Sequence, residues 1–129
     1  MHVHRIYTGA DGQSHFEDLD VPLSPGNYGA LSSVVPITGV VFRETYAGGH
    51  LDFHVAPRRQ FVVTLEGECE IECGSGEKRR LGPGDVMLAD DLTGQGHISR
   101  EVGTTGRRSL FLILADGVDV SPWRRAATS

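Results

Sequence analysis

Up to Ala115 this chain of 129 residues carries no helical period. Short runs that alternate apolar and polar residues are instead interrupted by glycine, of which there are 17. That rhythm restricts the chain to an all-β barrel or sandwich. Strands are expected over 2–7, 14–20, 38–46, 50–55, 60–66, 69–73, 78–81, 85–89, 97–102 and 108–115. Asp11-Gly12 and Gly74-Ser75-Gly76 supply the positive φ that hairpin turns need, and Gly82-Pro83-Gly84 ends a strand sharply. Residues 21–36, with three prolines, are expected to form a long surface loop. The tail 121–129 is expected to fray or to pack through Trp123 alone. Runs 61–65 and 110–114 are apolar at both alternations, as in strands covered on two sides. This points to a closed, two-layered barrel.

The length suits one domain with a real core. The division expected is an N-terminal segment 1–37 packing on the barrel, a barrel over 38–115 and a tail 116–129. Net charge is −5, and the basic residues fall in short pairs such as Arg58-Arg59 and Arg107-Arg108. No electrostatic footprint for nucleic acid follows. Cys69 and Cys73 share an alternating strand, so their Cα atoms would lie about 13 Å apart, beyond the roughly 7 Å limit for a disulfide. Two buried thiols fit a reducing cytoplasm. The start, Met1-His2-Val3-His4-Arg5, lacks the apolar stretch of a secretion signal. No apolar run nears the roughly 20 residues of a membrane helix. A cytoplasmic protein without nucleic-acid or membrane partners is expected.

The stretch from His54 to Gly67 reads as strand, turn and strand, because Pro57 cannot donate to a ladder. Along one straight strand His54 and Gln60 would be about 20 Å apart. If 55–59 form the connection, the two residues face each other on neighbouring strands, with Cβ atoms about 5 Å apart. A second stretch, from Gly82-Pro83-Gly84-Asp85 through Asp90-Asp91 to His97, brings another imidazole to the barrel mouth.

These two stretches, in this order within an all-β chain, resemble the motifs of the cupin superfamily. The first cupin motif has two histidines one residue apart, then three or four residues, a glutamate, six residues and a glycine. His54, Ala56, Gln60 and Gly67 fall at those positions, with alanine and glutamine replacing two usual metal ligands. Gly84 and His97 match the ends of the second motif. The resemblance covers about residues 38–115. It implies a small single-domain cupin, a double-stranded β-helix (jelly-roll) barrel, and pairing of two copies into a homodimer.

His54, Gln60 and His97 are the candidate metal ligands. With water they could hold one divalent ion, Zn²⁺, Ni²⁺, Fe²⁺ or Mn²⁺. An amide in place of a carboxylate leaves the ion's charge uncompensated unless Glu44, Asp90 or Asp91 assists. The same three residues also read as a hydrogen-bonded pocket without metal. Glu44 shares a strand face with Val40, Phe42 and Tyr46, where a carboxylate is costly unless paired or liganded. It is the candidate proton acceptor, with an Asp of the 90–91 pair as the other choice; a solvent-facing bulge is the alternative reading of Glu44. Arg58 and Arg59, with forks suited to carboxylates, and Asp90 are candidate substrate-binding residues. If His97 points inward, Ser99 and Glu101 follow it. His50 is a rim residue unless its glycines bend the strand, and His2, His4 and His15 are given no role. No nucleophile constellation or phosphate loop is present.

The function expected is binding of a small anionic or carbonyl-bearing molecule. Two forms of it remain open: a divalent-metal enzyme (isomerase, lyase or oxygenase) and a metal-free, non-catalytic ligand sensor.

Overall fold

The structure is a computed structural model and describes residues 1–125. Its strands are β1 (His2–Thr8), β2 (Ser14–Asp20), β3 (Ser24–Pro25), β4 (Ala30–Leu31), β5 (Ile37–Thr45), β6 (His50–His54), β7 (Gln60–Glu66), β8 (Glu68–Cys73), β9 (Lys78–Leu81), β10 (Val86–Asp90), β11 (His97–Val102) and β12 (Arg107–Leu114). A single 3₁₀ turn, Ser121–Trp123, follows. Ten of these strands fall where alternation and glycine turns place them. The miniature hairpin of β3 and β4 lies within the expected loop 21–36. No described helix is long and apolar enough to cross a membrane.

Two sheets make the barrel. One has the order β2-β1-β10-β7-β12-β5 and the other β6-β11-β8-β9. From β5 to β10 the chain swaps sheets at most connections. The eight strands β5–β12 thereby give two four-stranded layers, β5-β12-β7-β10 and β6-β11-β8-β9, the strand order of a jelly roll. β1 extends the first layer by pairing parallel to β10, with Ile6 opposite Ala89, and β2 pairs antiparallel to β1. Gly67 makes the crossing from β7 to β8 at φ 82°. A Cβ there would stand 2.7 Å from the Gly106 carbonyl oxygen, so only glycine fits.

Strand alternation divides the first layer between two cores. Ile6, Phe16, Val62, Ile71, Met87 and Ala89 fill the barrel interior, with Phe111 against them. Val3, Leu19, Phe61, Leu88, Leu114 and Val120 form a second core on the outer side. Phe61 stacks on Trp123 there at 6.2 Å. This explains the doubly apolar runs in β7 and β12: each side of those strands has its own cover. The tail is tied down by more than Trp123. Arg124 forms a bridge to Leu19 and an ion pair to Glu17, and Arg125 pairs with Asp20. The rest of the expected tail, 126–129, lies outside the described residues.

The outer layer is coupled to β9 by charge. Arg79 donates to Asp18 Oδ1 at 2.7 Å and to His4 Nδ1 at 2.9 Å, while its guanidinium lies over the Phe16 ring. His2 Nε2 reaches the same Asp18 oxygen. The Arg79 hydrogen bond, helped by His2, holds the Asp18 carboxyl at about 2. Burial, with His2 and Arg79 beside it, pushes the His4 imidazole down. Because the Asp18 acidity is raised by folding, its contribution is present above the ordinary value near 3.8 and is lost as pH falls toward about 2. Acid unfolding followed by circular dichroism should therefore show a stability loss between those limits. In Asp18→Asn that portion of the pH dependence should disappear, with the variant already weaker at neutral pH.

Candidate functional site

His54 closes β6, and the chain then crosses from one sheet to the other over residues 55–59. Ala56 N donates to the Asp91 carbonyl at 3.1 Å within this crossing. Gln60 opens β7 on the opposite sheet. His54 and Gln60 are thus not cross-strand partners, contrary to the hairpin expected from Pro57. His54 lies opposite His97 of β11, and Gln60 lies opposite Ala89 and Ile113. All three nevertheless border one cavity of about 440 Å³. The barrel mouth brings them together from both layers.

The cavity is mainly apolar, with a floor of Val62, Ile71, Leu81, Met87 and Phe111. At one end the rings of His54 and His97 lie 4.4 Å apart, tilted by 55°. Each ring is anchored through Nδ1. The Asp91 carboxylate holds His97 Nδ1 at 2.5 Å, and the Asp52 carbonyl accepts from His54 Nδ1 at 2.9 Å. Nε2 is then the nitrogen of each ring left for a ligand. Asp91 is fully buried, its Oδ1 has no partner, and His97 is its one side-chain hydrogen-bond partner among the described residues. Gln60 is buried, and its Oε1 accepts from Arg58 Nε at 3.2 Å. The amide therefore turns its NH₂ donors elsewhere.

Four expected residues stand away from the cavity lining. Glu44 is 76% exposed, 3.6 Å from Arg108. The register explains why: Glu44 opposes Arg108, Phe42 opposes Leu110 and Val40 opposes Leu112, and Leu112 belongs to the outer core. The alternate residues of β5, Arg43 and Thr45, border the cavity instead. Asp90 is likewise outward. It is held by Arg5 at 2.8 Å and by Arg59 Nε at 3.0 Å. Arg59 also donates to the Val118 carbonyl, so Arg59 and Asp90 hold the fold together on the outer side. Arg58 is exposed and reaches the site only through Gln60.

Arg43 escapes the sequence reading and Asp91 enters it only as an alternative to Asp90, because parity cannot be read from an apolar strand alone. Gln60 pairs with Ala89, and this fixes Ala89, and then Asp91, on the cavity side. His97, Ser99 and Glu101 do share the cavity face. Glu101 pairs there with Arg107 at 2.8 Å, a pair that spacing did not suggest. His50 also reaches the cavity. Cys69 borders it, but burial pushes its thiol up to about 11 and that of Cys73 to about 12, so neither is a thiolate nucleophile at neutral pH.

Gly96, just before His97, sits at φ 78°, and a Cβ there would collide with the His54 carbonyl. Its absence of a side chain lets β11 reach β6 closely enough to pair the two imidazoles. Gly96→Ala should separate the rings and destabilise the protein by at least about 1 kcal/mol, from the positive φ and the displaced backbone together. Chemical denaturation and the ¹H–¹⁵N shifts of both histidine rings will measure this. Unchanged ring shifts in the variant would dissociate Gly96 from the site.

Several solved structures are similar to this chain, two of them as follows. One is an uncharacterised conserved protein with a double-stranded β-helix domain from Klebsiella pneumoniae, 24% identical over 74% of this chain and 84% of that one, with a TM-score of 0.48. The other is a conserved protein of unknown function from Streptococcus pyogenes, 16% identical over 67% and 72% of the two chains, with a TM-score of 0.46. No protein-family model and no curated protein matches. The order of the strands themselves, two four-stranded layers with a pocket at the mouth, is that of a double-stranded β-helix, or jelly roll.

Proposed function

We propose that the cavity binds a small organic molecule with an apolar body and a carbonyl or anionic head, and that it does so without a metal ion. The observation that carries this reading is the anchored imidazole pair above an apolar floor. Both Nδ1 atoms are engaged by acceptors, and both residues face the cavity. The Gln60 NH₂ can donate to the carbonyl or anionic head group, the two Nε2 atoms can accept from a hydroxyl beside it, and the floor excludes water from the rest.

The donor set does not fit a metal ion. Gln60 Oε1, the atom that would coordinate, is engaged by the Arg58 guanidinium. Two imidazoles remain there; the cavity's third, His50, forms no ligating cluster with them among the described residues, and the one cavity carboxylate, Glu101, is tied to Arg107. Metal centres are ordinarily built from three or more protein ligands with compensating charge.

The Asp91–His97 pair favours a second, catalytic reading. A buried carboxylate on Nδ1 fixes the tautomer and stabilises the imidazolium formed when Nε2 accepts a proton. A bound carbonyl compound with an acidic C–H would then exchange that hydrogen with solvent.

Protein purified without nickel resin or chelator should carry substoichiometric metal. A panel of short ketones and carboxylates should include ligands that raise its melting temperature, and His54→Ala and His97→Ala should abolish the shift. Stoichiometric metal lost in both variants would overturn the metal-free reading. Solvent deuterium appearing in a bound ketone, and lost in His97→Ala, would favour catalysis over binding alone.

We further propose that two copies pair through β5. It is an edge strand of nine residues, so its unpaired backbone groups invite another strand. Val40 and Phe42 on its outer face, and Tyr46 just past its end, are exposed, Phe42 by 82%. The hairpin β3–β4 on the same chain also leaves Tyr28 and Leu31 uncovered. A two-fold pairing would cover the β5 face of both copies. Analytical ultracentrifugation should find a dimer that Phe42→Asp converts to folded monomer. A wild-type monomer at high concentration would refute the pairing.

A further inference from the structure

The cavity has a second polar end, which the proposed reading of the first end leaves unused. Arg43 and Thr45 of β5, His50 of β6, Ser99 and Glu101 of β11 and Arg107 of β12 converge there. Arg107 is nine-tenths buried, its side chain 10% exposed, and Glu101 is 4% exposed. Only Nε of Arg107 is engaged by Glu101 Oε1, which leaves the two terminal nitrogens of the fork for another acceptor. Arg43 lies at the rim with its guanidinium 5.5 Å from the centre of the Phe111 ring. Among the described residues it joins no ion pair. Thr45 Oγ1 is buried without a hydrogen-bond partner. Two guanidinium groups therefore face one carboxylate, in a protein whose net charge is −5. A local positive excess within an acidic molecule, beside a buried and unsatisfied hydroxyl, selects an anion.

The separation of the two ends follows from β11. His97 stands at the imidazole end and Glu101 at the arginine end, four residues or about 13 Å apart along an extended strand. Val62, Ile71 and Phe111 lie among the cavity residues that join them. We propose that the ligand is an elongated carboxylate that spans the cavity. Its carboxylate lies against Arg43 and Arg107 with a hydrogen bond from Thr45. Its apolar middle crosses Val62, Ile71 and Phe111, and a carbonyl accepts from the Gln60 NH₂ beside the Nε2 atoms of His54 and His97. Planar guanidinium groups bind carboxylates through paired, charge-assisted hydrogen bonds. This assignment rests on the proposed small-molecule pocket and adds the charge, length and polarity of what enters it.

The test uses 8-oxononanoate, a carboxylate and a ketone joined by six methylenes, and its neutral methyl ester, with affinities from calorimetry. The acid should bind about tenfold or more tightly than the ester, the yield of one charge-assisted contact in a desolvated site. Arg43→Gln should erase that preference while leaving the ester affinity unchanged. Glu101→Gln, which releases the Arg107 fork and removes the opposing charge, should widen it. Arg107→Gln leaves Glu101 buried without a partner, so the double variant Glu101→Gln/Arg107→Gln serves in its place and should also lose the preference. Equal binding of acid and ester to the wild type, or a preference that survives in Arg43→Gln, overturns the second end and leaves the imidazole end standing. Failure of acid, ester and a short ketone alike to shift the His97 ring resonances overturns the small-molecule pocket and this inference with it.

Discussion

The structure depends on alternation in a sheet that is covered on both sides. Along β7, β10 and β12 successive residues alternate between the barrel interior and the outer core beneath Trp123. A slip of one residue in any of these strands would exchange the two sets. Both sets are apolar, so pattern alone does not choose between registers. Polar residues make the choice. Gln60, Thr64 and Asp91 would be stranded in the outer core if turned around, and Asp90 would lose both its arginines. Burying an unpaired carboxylate costs far more than exchanging one apolar residue for another.

The same ambiguity limits what the residues disclose in advance. Strand positions were legible because glycine turns and alternation are local signals, and the jelly-roll order was implied by the resemblance to the cupin motifs. Membership of the mouth was legible for His54, Gln60 and His97. Glu44 and Asp90 show where local reading ends. Glu44 shares a face with Val40, Phe42 and Tyr46, and that face resembles a core strip, yet all four are exposed. A strand face can be apolar in sequence while bare in a single copy. In the Asp90-Asp91 pair the inward residue is decided by the register with β7, a contact between positions some thirty residues apart. The hairpin imagined between His54 and Gln60 failed for a similar reason. Pro57 does stop the strand, but the chain resumes on the opposite layer.

Chemistry in the cavity is organised by the ends of strands more than by loops. Asp91 follows β10 and His97 opens β11, so a buried carboxylate and its imidazole are held by backbone already committed to the sheets. Gly96 sets the distance between β11 and β6. At the opposite end, Glu101 and Arg107 flank the short turn between β11 and β12, and Thr45 lies across from Arg107 in the ladder. Both polar ends are therefore carried by strands or by residues adjoining them, the placement that preorganised recognition favours.

The clamp on Asp90 has a bearing on how this chain can be cut. Arg5 supplies one of its two cations and Glu17 completes the set from β2. β1 and β2 might be taken for a detachable preface to an eight-stranded barrel. Shortening the chain at its start would leave a half-buried carboxylate with one arginine, directly beside the aspartate that orients His97. Any minimal version of this protein must keep its first two strands if the imidazole is to keep its place.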